Sequence, residues 1–299
     1  MPPLSQSFVL ENELGAIAFP ASFPITAGQV CVALADGRRV CDLSVDQFVG
    51  LFLLPRTISS QLESAVSGNR VGLASDGRIT NLIPMHGISK EWKPILHTDE
   101  DPFHPTHPGF FTSKNGPKMS NAELAAIQAR IVAVSGLVTP FNVSFKGDES
   151  DTNLFAHIVR GELEQWRVWE DDDHVAFLTP FPNTPGFTVL VPRQHLSSDI
   201  FSLSDGDYTS LMRASHTVMH ILRRAFKIDT VGVFFEGFEI DYAHVKLIPA
   251  HPGSDSDFTT VSSAPYFDLY PGYLTTQPGP PADPSSLDDL SRILRQRLT

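Results

Sequence analysis

Tyr242, His244 and Lys246 stand at alternate positions in Tyr242-Ala243-His244-Val245-Lys246-Leu247-Ile248, with small or apolar residues between them. The pattern predicts a strand from Tyr242 to Pro249. A strand sends alternate side chains to one face, so a phenol, an imidazole and an ammonium would project together. That set suits chemistry at phosphorus. A neutral imidazole can attack phosphorus and form a phosphoramidate that water later cleaves. A lysine ammonium can balance the non-bridging oxygens, and a phenol can donate or accept a hydrogen bond. His244, Lys246 and Tyr242 are therefore the catalytic candidates. The preceding loop, Glu236-Gly237-Phe238-Glu239-Ile240-Asp241, carries three carboxylates in six residues. Carboxylates a few ångströms from a phosphate would repel it. The loop is expected to face outward; the other reading is that the substrate is not an ordinary nucleotide. Glu239 is retained as a substrate-binding candidate.

The elements that must present these residues occur twice. Phe23-Pro24-Ile25-Thr26-Ala27-Gly28 matches Phe181-Pro182-Asn183-Thr184-Pro185-Gly186, and Leu43-Ser44 matches Leu203-Ser204. Val71-Gly72-Leu73 matches Val231-Gly232-Val233, and Leu82-Ile83-Pro84-Met85-His86 matches Leu247-Ile248-Pro249-Ala250-His251. Pro108-Gly109-Phe110-Phe111-Thr112-Ser113 matches Pro271-Gly272-Tyr273-Leu274-Thr275-Thr276. The order is the same in both halves, which predicts two tandem copies, 1–140 and 141–299. Each copy reads as α+β. Trp166 to Ala176, Phe187 to Pro192, Thr230 to Phe235 and Tyr242 to Pro249 have strand character. Residues 206–227 are helical, with Leu211, Ala214, Val218, Ile221, Leu222 and Phe226 at three- and four-residue steps. Residues 44–67 are the matching helix, with Pro55 predicting a kink. Ser120-Asn121-Ala122-Glu123 is a capping box opening a helix to about Ala133, and Ser286 to Leu298 is its counterpart.

On these residues the second copy resembles the histidine-triad (HIT) superfamily. Leu154 to Glu162 looks like that family's first strand-turn segment, Glu170 to Leu178 like its second, and Pro182 to His195 like its most recognisable hairpin. The family signature is His-φ-His-φ-His-φ-φ, with φ apolar. Here tyrosine stands in the first histidine position and lysine in the third, while His244 keeps the central one. In the first copy the equivalent of His244 is Ile79. The resemblance implies two antiparallel-sheet-plus-helix domains joined as an intramolecular pseudo-dimer, with a degenerate first copy. It implies a nucleotide hydrolase or nucleotidyl transferase, with a backbone carbonyl orienting the His244 ring. It also implies that His195 lines the pocket and that Thr179 stands where many members place an acidic ribose-binding residue. Tyr273 would lie on an arm able to reach a ligand.

Two other readings stay open. One is a lyase-like biosynthetic enzyme using the HIT pocket without phosphorus chemistry, and the other is a non-catalytic nucleotide-binding protein. The 299-residue chain has 22 Lys+Arg against 34 Asp+Glu, a net charge of −12. So acidic a surface argues against binding to polymeric nucleic acid and leaves a small nucleotide or phosphorylated metabolite as partner. Cys31 and Cys41 make no disulfide framework, and neither a signal peptide nor a membrane span is legible, so a cytoplasmic protein is expected. His97, His104 and His107 cluster with Asp99, Glu100 and Asp101 without a recognisable zinc spacing. No metal and no cofactor are expected.

Overall fold

The computed structural model describes residues 9–66, 70–88, 103–237, 240–253 and 264–298. Along the chain run β1 (Leu10–Glu11), β2 (Ala16–Pro20), β3 (Val30–Leu34), α1 (Val45–Val66), β4 (Val71–Ser75) and β5 (Ile79–Pro84). Then come α2 (Asn121–Ser135), α3 (Leu154–Val159), β6 (Trp166–Glu170), β7 (His174–Leu178) and β8 (Thr188–Pro192). The last are α4 (Asp205–Phe226), β9 (Val231–Phe235), β10 (Val245–Pro249) and α5 (Pro284–Leu298). The fold is α+β, with every strand pair within the two units antiparallel.

The chain folds as two compact units. The first comprises Met1–His97, Gly109–Ser113 and Thr259–Thr299; the second comprises Thr98–Pro108 and Lys114–Phe258. Strand order is β1-β2-β3-β5-β4 in the first and β6-β7-β8-β10-β9 in the second, the same order element for element. Helix α2 belongs to the second unit and α5 to the first. In the first unit α5 packs on α1 and β2, and in the second α2 packs on α4 and β6. Leu124 and Ile131 of α2 are buried, and Arg130 Nε donates to the Ala225 carbonyl at the end of α4.

Local sequence explains most boundaries. The predicted capping box forms: Ser120 Oγ accepts from the Glu123 amide while Glu123 accepts from the Ser120 amide. Ser204 Oγ caps α4 by accepting from the Asp207 amide at 3.1 Å. Its six predicted core positions, Leu211 to Phe226, are all buried. α1 runs through Pro55, which is itself buried.

Three expectations change. The expected strand from Trp166 to Ala176 is two strands. Asp171 Oδ1 accepts the amides of Asp173 and His174, and this Asx turn reverses the chain between β6 and β7. The segment opening at Leu154 is helical, because Asn153 caps it by accepting from the Phe155 amide at 2.9 Å. The last strand starts at Val245, three residues late. The Tyr242 amide donates to the Ile240 carbonyl and the Ala243 amide to that of Leu196, so this backbone leaves the ladder. Of the His/Asp cluster, His97 and residues 99–101 lie outside the described residues. The amides of His104 and His107 donate to the carbonyls of Asn183 and His251, laying that loop on the second unit. Among the described residues no helix is long and apolar enough to cross a membrane.

Candidate active site

In the second unit β10 lies between β8 and β9, with Lys246 opposite Val189 on one side and Phe234 on the other. His244 and Lys246 face a cavity of about 280 Å³ whose lining also includes Phe155, Ile158, Trp166, Phe177, Thr179 and Glu236. The short helix α3 supplies one wall through Leu154, Phe155 and Ile158. The Phe155 ring meets the His244 ring edge-on, with centroids 5.2 Å apart at 68°.

His244 is buried at 5% exposure yet lines the cavity. Its Nδ1 lies 2.7 Å from the carbonyl oxygen of Tyr242. A carbonyl only accepts, so Nδ1 carries the hydrogen. In the neutral ring this puts the lone pair on Nε2, the state that a nucleophilic imidazole requires.

Lys246 does not bring an uncompensated charge to the cavity. Its Nζ donates to Glu236 Oε2 at 2.7 Å, with side-chain exposures of 17% and 4%. The expectation that the acidic loop faces outward is therefore corrected at Glu236, which lines the cavity. Gly237 makes the inward turn possible. It has φ +61°, and a Cβ there would stand 2.5 Å from the Ser198 carbonyl oxygen.

Behind the histidine is a polar support. Tyr242 is fully buried, and its hydroxyl donates to the Pro192 carbonyl at 2.7 Å. Burial, and then the negative charge of Asp151, push the Tyr242 phenol well above its ordinary range. The His195 ring stacks on Tyr242, with centroids 4.7 Å apart at 19°. His195 Nδ1 meets Asp151 Oδ2 and Nε2 meets the Asp241 carbonyl, both at 2.6 Å. Burial pushes the Asp151 carboxyl up, but hydrogen bonds from the Asn153 amide and His195, with the nearby charges of His195 and Arg160, hold it below its usual value. Farther along the sheet, the fully buried Arg167 and Arg193 share Glu170 Oε2, at 2.5 and 2.8 Å. Both also donate to the Asn142 carbonyl. Arg193 is a structural clamp.

Residues 160–252 match the family described as "HIT domain". An uncharacterized HIT-like protein of Saccharolobus solfataricus is 29% identical over 101 residues, 32% of this chain and 72% of that protein. One from Methanocaldococcus jannaschii is 24% identical over 104 residues, 33% of this chain and 80% of that protein. Residues 160–252 are a HIT domain. Among solved structures, a uridylyltransferase is similar over 96% of this chain and 89% of its own, with a TM-score of 0.50 and 10% identity. At that identity the likeness is one of fold.

The HIT domain gathers His244, Lys246 and Thr179 at one cavity. Thr179 stands just past β7, its Oγ1 accepting from the Phe181 amide at 3.2 Å. Tyr242 and His195 are placed behind the cavity wall rather than among its described lining residues. The alternation rule is sound for a strand, but Tyr242 lies before β10 begins. Glu239 lies outside the described residues. Tyr273 belongs to the first unit, where its ring packs edge-on against Phe267 at 5.8 Å. Sequence reasoning missed Glu236 as the partner of Lys246 and missed α3 as a wall. The signal for α3 was Asn153 immediately before an apolar run.

Proposed function

We propose that the HIT domain is a nucleotidyl hydrolase or transferase acting through a covalent bond to His244. The observation that carries this reading is the His244 ring itself, oriented by the Tyr242 carbonyl and facing a cavity of about 280 Å³. The apolar and aromatic lining, with Trp166, Phe177 and Ile158, suits a flat base or another aromatic group. In the proposed reaction Nε2 attacks phosphorus. An N–P bond forms as the bond to the leaving oxygen breaks, and the leaving group departs with its electron pair. Water or an acceptor hydroxyl then attacks the same phosphorus, the P–N bond breaks, and the attacking oxygen gives up its proton. The Tyr242 carbonyl stabilises the ring in its cationic adduct, because Nδ1–H remains its donor throughout. Lys246 contributes as half of its pair with Glu236, and Tyr242 contributes through its backbone. Transfer of a uridylyl group is the activity that the name of the uridylyltransferase of similar fold states.

The identical strand order of the two units supports reading the chain as tandem HIT-like copies, a pseudo-dimer whose first copy has lost its nucleophile. Ile79, at the start of β5, stands where the second copy has His244. A second reading, a HIT-fold enzyme without phosphorus chemistry, draws its support from the Glu236–Lys246 pair, since the lysine already has a carboxylate. The test is to incubate the protein with a nucleoside phosphoramidate, quench, and map any adduct by mass spectrometry. A nucleotidyl group on His244, absent from His244→Ala, supports the proposal. Turnover without any adduct on that residue refutes the covalent path.

A further inference from the structure

The Glu236–Lys246 pair is more than the proposed reaction requires. The 2.7 Å contact means the ammonium is met by a carboxylate of the protein at the cavity wall. Lys246 is the one Lys or Arg among the described residues lining that cavity. The walls around it are mostly apolar, including Leu154, Phe155, Ile158 and Phe177. Glu236 is held at this place by Gly237, whose positive φ and contact with the Ser198 carbonyl admit no side chain. In surroundings of low dielectric, each unit of ligand charge near Glu236 is repelled strongly. A ligand with one negative charge can share Lys246 with Glu236. A second negative charge meets the carboxylate with no additional Lys or Arg from those lining residues.

We propose that Glu236 is a specificity-determining residue that fixes the charge of the substrate. The site takes a phosphodiester with a single negative charge, carrying an aromatic or apolar group, and disfavours dianionic phosphomonoesters. This inference rests on the reading of the cavity as the phosphorus site of His244. It assigns Glu236 no part in bond making; the carboxylate acts on which ligand enters.

The test uses the full chain at pH 8 and a matched pair of ligands, AMP, which is dianionic there, and its monoanionic phenyl ester. Binding is read by calorimetry, and release of nitrophenol from the 4-nitrophenyl ester of AMP is read in parallel. The native protein is expected to bind the ester at least about tenfold more tightly than AMP. Glu236→Gln is expected to bring the two affinities within about threefold, through tighter AMP binding, and Glu236→Asp to keep the preference. Should Glu236→Gln fold poorly, the double variant Glu236→Gln/Lys246→Gln removes both charges and is expected to lose the discrimination as well. An unchanged affinity ratio in the folded variants overturns the proposal, as does equal binding of the two ligands by the native protein. Binding of neither ligand overturns both this inference and the phosphorus reading. A charge preference that depends on Glu236, without nitrophenol release, upholds the selection and removes the proposed reaction.

Discussion

Replacing Tyr242 by Phe separates support of the site from chemistry within it. The substitution keeps the buried ring and its stacking on His195, and removes only the hydroxyl that donates to the Pro192 carbonyl at 2.7 Å. A typical buried hydrogen bond contributes about 1 kcal/mol net, and leaving its acceptor unsatisfied raises the cost to about 1–3 kcal/mol. For a domain of this size that lowers Tm by roughly 3–8 °C. The sign of the pH effect follows from the raised phenol pKa. Stability contributed by keeping the phenol neutral is fully present below the unfolded tyrosine value near about 10 and is lost as pH rises toward the folded value. Tyr242→Phe should therefore shift the melting curve at neutral pH and flatten its alkaline limb. The rate with a nucleotidyl substrate should stay within about threefold of native, because the Tyr242 carbonyl that orients His244 remains. Calorimetric melting from pH 7 to 11, with kcat and KM measured alongside, checks both halves. A rate loss beyond about tenfold with unchanged Tm would place the phenol in the chemistry and refute this reasoning.

Other perturbations have expected outcomes of different kinds. His244→Ala should lower turnover by about 10³-fold or more with an unchanged circular dichroism spectrum, since it removes the covalent path. Glu170→Ala leaves two fully buried guanidiniums without their shared carboxylate and should cost about 3–5 kcal/mol in denaturant unfolding. Gly237→Ala forces a side chain onto a φ of +61° and against Ser198. It should cost about 1–3 kcal/mol and weaken ligand binding measured by titration.

The sequence carried some features more plainly than others. The α4 core stripe and the Ser120 capping box depend on neighbours three or four residues away, so both were legible before any tertiary contact was known. Asn153 and Asp171 act just as locally, but each was hidden by a run of strand-like residues beside it. His244 was legible from its spacing. Its charged neighbour was not, because the meeting of Glu236 with Lys246 depends on the register of β9 against β10, where Lys246 pairs with Phe234. Strand alternation was carried too far at Tyr242, whose amide donates to the Ile240 carbonyl while that of Ala243 donates to Leu196, so that this backbone leaves the ladder.

The placement of α2 in the second unit and α5 in the first makes this chain resistant to dissection. A gene cut between α2 and α3 would yield a front half deprived of α5 and a back half deprived of α2. The orphaned back half would bare the surface on α4 and β6 that Leu124 and Ile131 keep from water. The two units thus lack interchangeable parts, and inheritance of either stretch without the other would deliver an unfinished protein.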